Sequence, residues 1–211
     1  MNGYMKPQDI EKRSFEIITA ELGERTFPAG IAEVVKRVIH TTADFDYADS
    51  LAFSPDVISR AKAALAAGAT VVTDTNMALS GVSKVTLAKL GGKAVCLMAD
   101  EQVASEAKAR GVTRAVVSME HAAQFEGPLL FAIGNAPTAL IRLHELIEEG
   151  IVAPALVIGV PVGFVNVVEA KELFIGGDTP YIIARGRKGG SNVAASIVNA
   201  LLYQMVHREG F

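Results

Sequence analysis

Apolar residues along the chain fall into two alternating patterns. Over residues 8–22 and 28–39 they recur at helical spacing, which predicts two opening helices. Thr26 lies near the cap of the second, Pro28 suits its first turn, and His40 stands at its C-terminus. After an acidic linker, Ser54-Pro55-Asp56 begins a further helix that ends at Gly68. Thr70-Val71-Val72-Thr73-Asp74 then forms a short continuous β-branched run, the pattern of a strand buried on both faces. From there the two patterns alternate. Strands are predicted at residues 93–99, 115–118, 129–134, 155–160 and 181–184, and helices at 101–110, 137–149 and 191–207.

Continuous β-branched strands alternating with amphipathic helices imply an α/β fold: a three-layer, doubly wound, mainly parallel sheet of the flavodoxin-like or Rossmann-like kind. No repeat, low-complexity tract or linker divides residues 1–211, so a single domain is expected. Residues 150–168 carry no charge and approach the length of a membrane span of about 20 residues. Pro154, Gly159, Pro161, Gly163 and Asn166 interrupt them, however, and Ala155-Leu156-Val157-Ile158 followed by glycine fits a buried strand entering a tight turn.

In open parallel sheets ligands bind beyond the carboxyl ends of the strands. The segments there are Asp74-Thr75-Asn76-Met77, Gly134-Asn135-Ala136-Pro137-Thr138, Gly159-Val160-Pro161-Val162-Gly163-Phe164 and Arg185-Gly186-Arg187-Lys188-Gly189-Gly190-Ser191. The last carries the strongest local signal. Three cations and three glycines lie between a strand and a helix whose N-terminal amides favour an anion, which resembles a carboxylate or phosphate cradle. Neither the Walker spacing nor the dinucleotide fingerprint occurs in the chain.

Composition narrows the classes. Half of the 211 residues are hydrophobic and a fifth charged, a globular balance, and the net charge of −3 gives no general attraction to nucleic acid or an acidic membrane. An anionic ligand must therefore meet a local basic cluster. The single cysteine, Cys96, cannot pair internally and the N-terminus lacks a secretory or transit pattern, so a reducing, cytoplasmic setting is expected.

His40 is the best candidate for acid–base work, because histidine titrates near neutrality and a helix C-terminus favours its charged form. Thr41 and Thr42 could orient it. Asp44, Asp46 and Asp49 could raise its pKa further, although a solvated acidic loop is the simpler reading of that run. Their spacing lacks the glycine turn and terminal glutamate of a calcium loop, so no metal site is expected. Of the other histidines, only His121, just after a predicted strand, is placed to matter; His144 lies within a helical run and His207 near the C-terminus. No serine-hydrolase elbow or C-x-x-C pair is present. Asp74-Thr75-Asn76 suits either a ligand contact or a cap for the following helix. Ser14 reads as an exposed helical residue. From the residues alone, the chain is an α/β binder or enzyme for a small polyanion.

Taken together, the segments resemble the precorrin-8X methylmutase (precorrin isomerase) family. The resemblance runs from Ile10-Glu11-Lys12-Arg13-Ser14-Phe15, through Val38-Ile39-His40-Thr41-Thr42-Ala43-Asp44 and Thr73-Asp74-Thr75-Asn76-Met77, to Ile133-Gly134-Asn135-Ala136-Pro137-Thr138-Ala139-Leu140. It continues in Gly159-Val160-Pro161-Val162-Gly163-Phe164-Val165-Asn166 and Gly186-Arg187-Lys188-Gly189-Gly190-Ser191, in the expected order over nearly the whole chain. It implies a flavodoxin-like homodimer that moves a methyl group from C-11 to C-12 of a tetrapyrrole, with no separate cofactor and with cobalt entering only as part of the substrate. The cobalt form is the favoured substrate. His40 would be the catalytic histidine and Ser14 a substrate contact. Thr41, Thr42, Asp74, Thr75, Asn76, Thr138, Gly163, Arg185, Arg187, Lys188, Gly189, Gly190 and Ser191 would line the pocket. An apolar ring edged by carboxylates suits an apolar cleft with glycine loops and a basic rim. The rival readings are a non-catalytic tetrapyrrole carrier and a nucleotide-binding oxidoreductase, the latter without its fingerprint.

Overall fold

The computed structural model describes residues 6–206, the side chains of residues 7 and 8 left aside. The chain opens with α1 (Pro7–Leu22) and α2 (Ile31–Thr42), then the short α3 (Tyr47–Ser50) and β1 (Leu51–Phe53). There follow α4 (Val57–Ala66), β2 (Thr70–Thr73), α5 (Asn76–Gly81), α6 (Lys84–Lys89) and β3 (Lys93–Val95). The second half runs α7 (Glu101–Arg110), α8 (Arg114–Ala122), β4 (Leu129–Ile133), α9 (Pro137–Glu148), β5 (Leu156–Gly159), α10 (Val167–Glu172), β6 (Tyr181–Ala184) and α11 (Ser191–Tyr203). His207, which the periodicity assigns to the last helix, lies outside the described residues.

All six strands join one sheet in the order β1-β6-β5-β4-β2-β3. The five strands from β2 onward pair in parallel, and their order, with β2 between β3 and β4, is that of the flavodoxin-like doubly wound fold. β1 is added at the edge, antiparallel to β6. Alternate side chains leave a strand on opposite faces. Leu130 and Ala132 of β4 accordingly join the core under α2, α4 and α11, whereas Phe131 and Ile133 join the core under α8, α9 and α10. β2, β4, β5 and β6 are buried along their whole length, which is why they read as unbroken apolar runs. α11 is buried nearly all round because α2 covers its outer side and α1 in turn packs on α2. The expected three layers therefore carry an additional helical layer on one face.

Residues 115–118 are helix, not strand. Thr113 caps α8 by accepting from the Val116 amide, and Ala115, Ser118, Met119 and Ala122 bury one helical stripe, so cap and packing override the β-branched pair. The second helix begins at Ile31 behind Gly30, past Thr26 and Pro28, and runs on to Thr42, which places His40 inside its last turn. The strand expected at 93–99 ends at Val95. Residues 150–168 split between β5, its following loop and the start of α10, and no described helix is long and apolar enough to cross a membrane.

Candidate active site

α2 and α11 run antiparallel: Gln204 donates to the carbonyl of Gly30 at the start of α2, while His40 and Thr41 at its end share a cleft with Asn192 and Ser196 from the start of α11. This cleft, about 550 Å³ and open to solvent, is completed by Glu11 of α1, Arg37, Asn199 and Tyr203. His40 and Arg37 stand one helical turn apart and share the Phe15 ring. The imidazole stacks on it with centroids 5.3 Å apart, and the Arg37 guanidinium lies 4.7 Å from its centre. Arg37 also faces Tyr203 and donates to Glu11 at 2.5 Å.

These neighbours reverse one expectation. Partial burial and then the Arg37 charge hold the His40 pKa below its usual value, against a smaller upward pull from Glu11, so His40 rests as neutral imidazole at pH 7. The nearby aspartates do not raise it, because they are engaged elsewhere. Asp44 and Asp46 both accept from Lys188 at 2.6 Å, and Asp49 accepts from Arg25. Nor do the threonines orient His40: Thr41 and Thr42 donate to the carbonyls of Arg37 and Val38 in their own helix. Ser14 likewise donates to the Ile10 carbonyl, one residue before the ring that carries His40.

A second group gathers where the strands end. Asp74, 1% exposed, neither contacts open space nor caps α5: its carboxylate accepts from the amides of Gly134, Asn135 and Ala136. Burial pushes its pKa up more than those three bonds lower it. Thr75 is the cap of α5, and its hydroxyl meets that of Ser191 at 2.8 Å. A side chain at Gly134 would strike the backbone of Gly190 and Ser191, so glycine there lets β4 touch the first turn of α11. The amide of Gly190 donates to Val160 and that of Gly163 to Arg187, which locks the loop after β5 to the loop after β6. The two groups meet at α11, where Ser191 turns to Thr75 and Asn192 to the His40 cleft; Lys188 also ties the glycine loop to the segment after α2.

The basic loop is less free than its sequence suggests. Arg185 makes a two-bonded pair with Glu172, and Lys188 is held by its two aspartates, which raise its pKa. Arg187 makes no ion pair among the described residues and lies 5.6 Å from the centre of the exposed Phe164 ring. Asn76 is exposed at the start of α5. Thr138 sits apart: its hydroxyl meets Thr113, and it lines a separate hollow with Arg110 and Arg142. His121 lies on α8 paired with Glu106, and His144 on α9 lies edge-on to Phe174. The sequence reading missed Glu11, Arg37, Asn192, Asn199 and Tyr203; each looks like an ordinary polar position on a helix, and only the packing of α1, α2 and α11 brings them to His40. No group of residues that could hold a metal ion occurs among the described residues.

The family model described as "Precorrin-8X methylmutase" matches residues 9–204. The chain is 45% identical over 213 residues to the cobalt-precorrin-8 methylmutase of Salmonella typhimurium, covering 97% of this chain and 99% of that protein. It is 40% identical over 196 residues to the precorrin-8X methylmutase of Pseudomonas aeruginosa, covering 92% and 94%. Among solved structures, the precorrin-8x methyl mutase from Thermus thermophilus superposes with a TM-score of 0.86 at 38% identity, over 92% of this chain and 94% of that one.

Proposed function

The chain belongs to the precorrin-8X methylmutase family, isomerases of cobalamin biosynthesis that move a methyl group within one molecule, and from that premise we propose that His40 is its catalytic residue. The reaction is the transfer of a methyl group from C-11 to C-12 of precorrin-8 or its cobalt form, giving hydrogenobyrinate or cobyrinate. The cobalt form is the favoured substrate, with cobalt a part of that substrate and no separate cofactor. The protein works as a single-domain cytoplasmic homodimer.

One observation carries this reading: His40 stands on the wall of an open cleft, fixed from behind by Phe15 and surrounded by hydrogen-bonding side chains of α11. The migrating methyl group stays on the macrocycle, so no second substrate is needed. What the protein must supply is one bound tautomer, a reactive ring shape and a group that meets developing charge. Neutral His40 can give a hydrogen bond to a ring position. A polycarboxylate placed beside it raises its pKa, so that more of it carries the proton a general acid needs. Arg187, the uncommitted cation of the glycine loop, is suited to a peripheral carboxylate, while Ser191 and the glycines shape the adjoining wall.

The test is to mix the purified protein with precorrin-8 or its cobalt form and follow the visible spectrum, with His40→Ala as control. Conversion to the corrin chromophore that falls by about a hundredfold or more in the variant, while the ring is still bound, is expected. Tight binding without conversion of either substrate by the unaltered protein would favour a carrier, and near-normal turnover in the variant would remove His40 from the mechanism.

A further inference from the structure

Lys171 of α10 has no exposed surface, and its ammonium has no carboxylate partner among the described residues. It donates instead to the carbonyls of Gly186 at 2.8 Å and Lys188 at 2.9 Å. The carbonyl between them, that of Arg187, points the other way and accepts from the Gly163 amide. The three successive carbonyls of residues 186–188 are thus all engaged, and the Arg187 side chain between them lies over Phe164. Keeping an amine dry without a counter-charge is costly, and burial lowers the Lys171 pKa to about 8. An apolar side chain would fill the same place under α10 without that cost, so the requirement lies in the loop and not in the core.

We propose that Lys171 is a positioning residue of the substrate site, acting through the backbone of residues 186–188 to fix where Arg187 meets the substrate. It touches no substrate itself. The proposal rests on the reading of this loop as the rim that receives a substrate carboxylate, and it extends that reading to a residue with no access to the cleft.

Two measurements on Lys171→Met test it, the first without substrate. Hydrogen exchange on the free protein should show the amides of Gly163 and Gly190 opening about tenfold faster, with β4 and β5 unchanged. Turnover of precorrin-8 or its cobalt form should then show KM raised about fivefold or more with kcat nearly kept, and that cost should shrink in an Arg187→Ala background, since the two residues act in series. Loop amides that exchange as before would overturn the proposal, as would a KM cost that is the same with and without Arg187. A protein that converts neither substrate overturns the functional reading alone, and exchange still decides whether Lys171 orders the loop. Should Lys171→Met not fold, Lys171→Gln, which keeps a donor but no charge, is judged by the same criteria.

Discussion

The imidazole of His40 lies against the Phe15 ring with the two planes within 19° of parallel, so the first helix buttresses the side chain that the second presents. Arg37 occupies the same ring one turn earlier, and the three groups form a single unit. His40 is therefore held in place by contacts from α1.

The first expectation concerns the charge of His40. Burial and Arg37 hold its pKa below the usual 6.5. Below pH 6.5 the unfolded chain then binds more protons at this position than the folded one, so the His40 contribution to stability is present at neutral pH and lost as pH falls toward the folded pKa. Arg37→Met removes a positive neighbour, which should raise the His40 pKa. Titration of the His40 ring by NMR checks this; a pKa at or above 6.5 in the unaltered protein would refute it.

Much of this arrangement was legible in the sequence where the chain is buried. β2, β4, β5 and β6 declare themselves because both of their faces are covered. β1 does not, since three residues at an antiparallel edge give no period to read. Residues 115–118 mislead because Val116 and Val117 favour a strand while the Thr113 cap and the apolar stripe favour a helix. At the site, His40, Ser191 and the glycine loop could be found by residue type. The engagement of Arg185 with Glu172 and of Lys188 with Asp44 could not, because neither pair shares an element and each depends on how α2, α10 and the last loop are packed.

Asp74 should prove structural. Replacing it with alanine leaves the amides of Gly134, Asn135 and Ala136 without their acceptor, and the cost should be about 2–4 kcal/mol, since a buried donor left unsatisfied costs about 1–3 kcal/mol. Asp74→Asn keeps one acceptor oxygen and should lose less. Urea unfolding measures both, and a loss below about 1 kcal/mol in the alanine variant would mean that water replaces the carboxylate.

Of the loop cations, Arg187 should matter most for substrate. Its guanidinium makes no ion pair among the described residues, so Arg187→Ala should raise KM about tenfold, the worth of one charge-assisted bond, with little change in thermal stability. Arg185→Ala releases Glu172 and should leave KM nearly unchanged. Steady-state kinetics of both variants decide it, and an equal rise in KM would show that Arg185 leaves Glu172 to reach the substrate.

Gly134 offers the sharpest steric test. A Cβ built there lies 2.7 Å from the Ser191 Cα and 2.8 Å from the Gly190 oxygen, both backbone atoms that cannot rotate away. Gly134→Ala must push the end of β4 from the first turn of α11, and overpacking of this kind costs about 1–3 kcal/mol. The same displacement moves Ser191 and Asn192, so KM should rise along with the loss of stability. Gly177→Ala is the matched control, because its nearest neighbour is 3.6 Å away. Thermal melting should separate the two clearly; equal melting temperatures would mean that the β4–α11 contact yields at no cost, and with it the link between the strand ends and the His40 cleft.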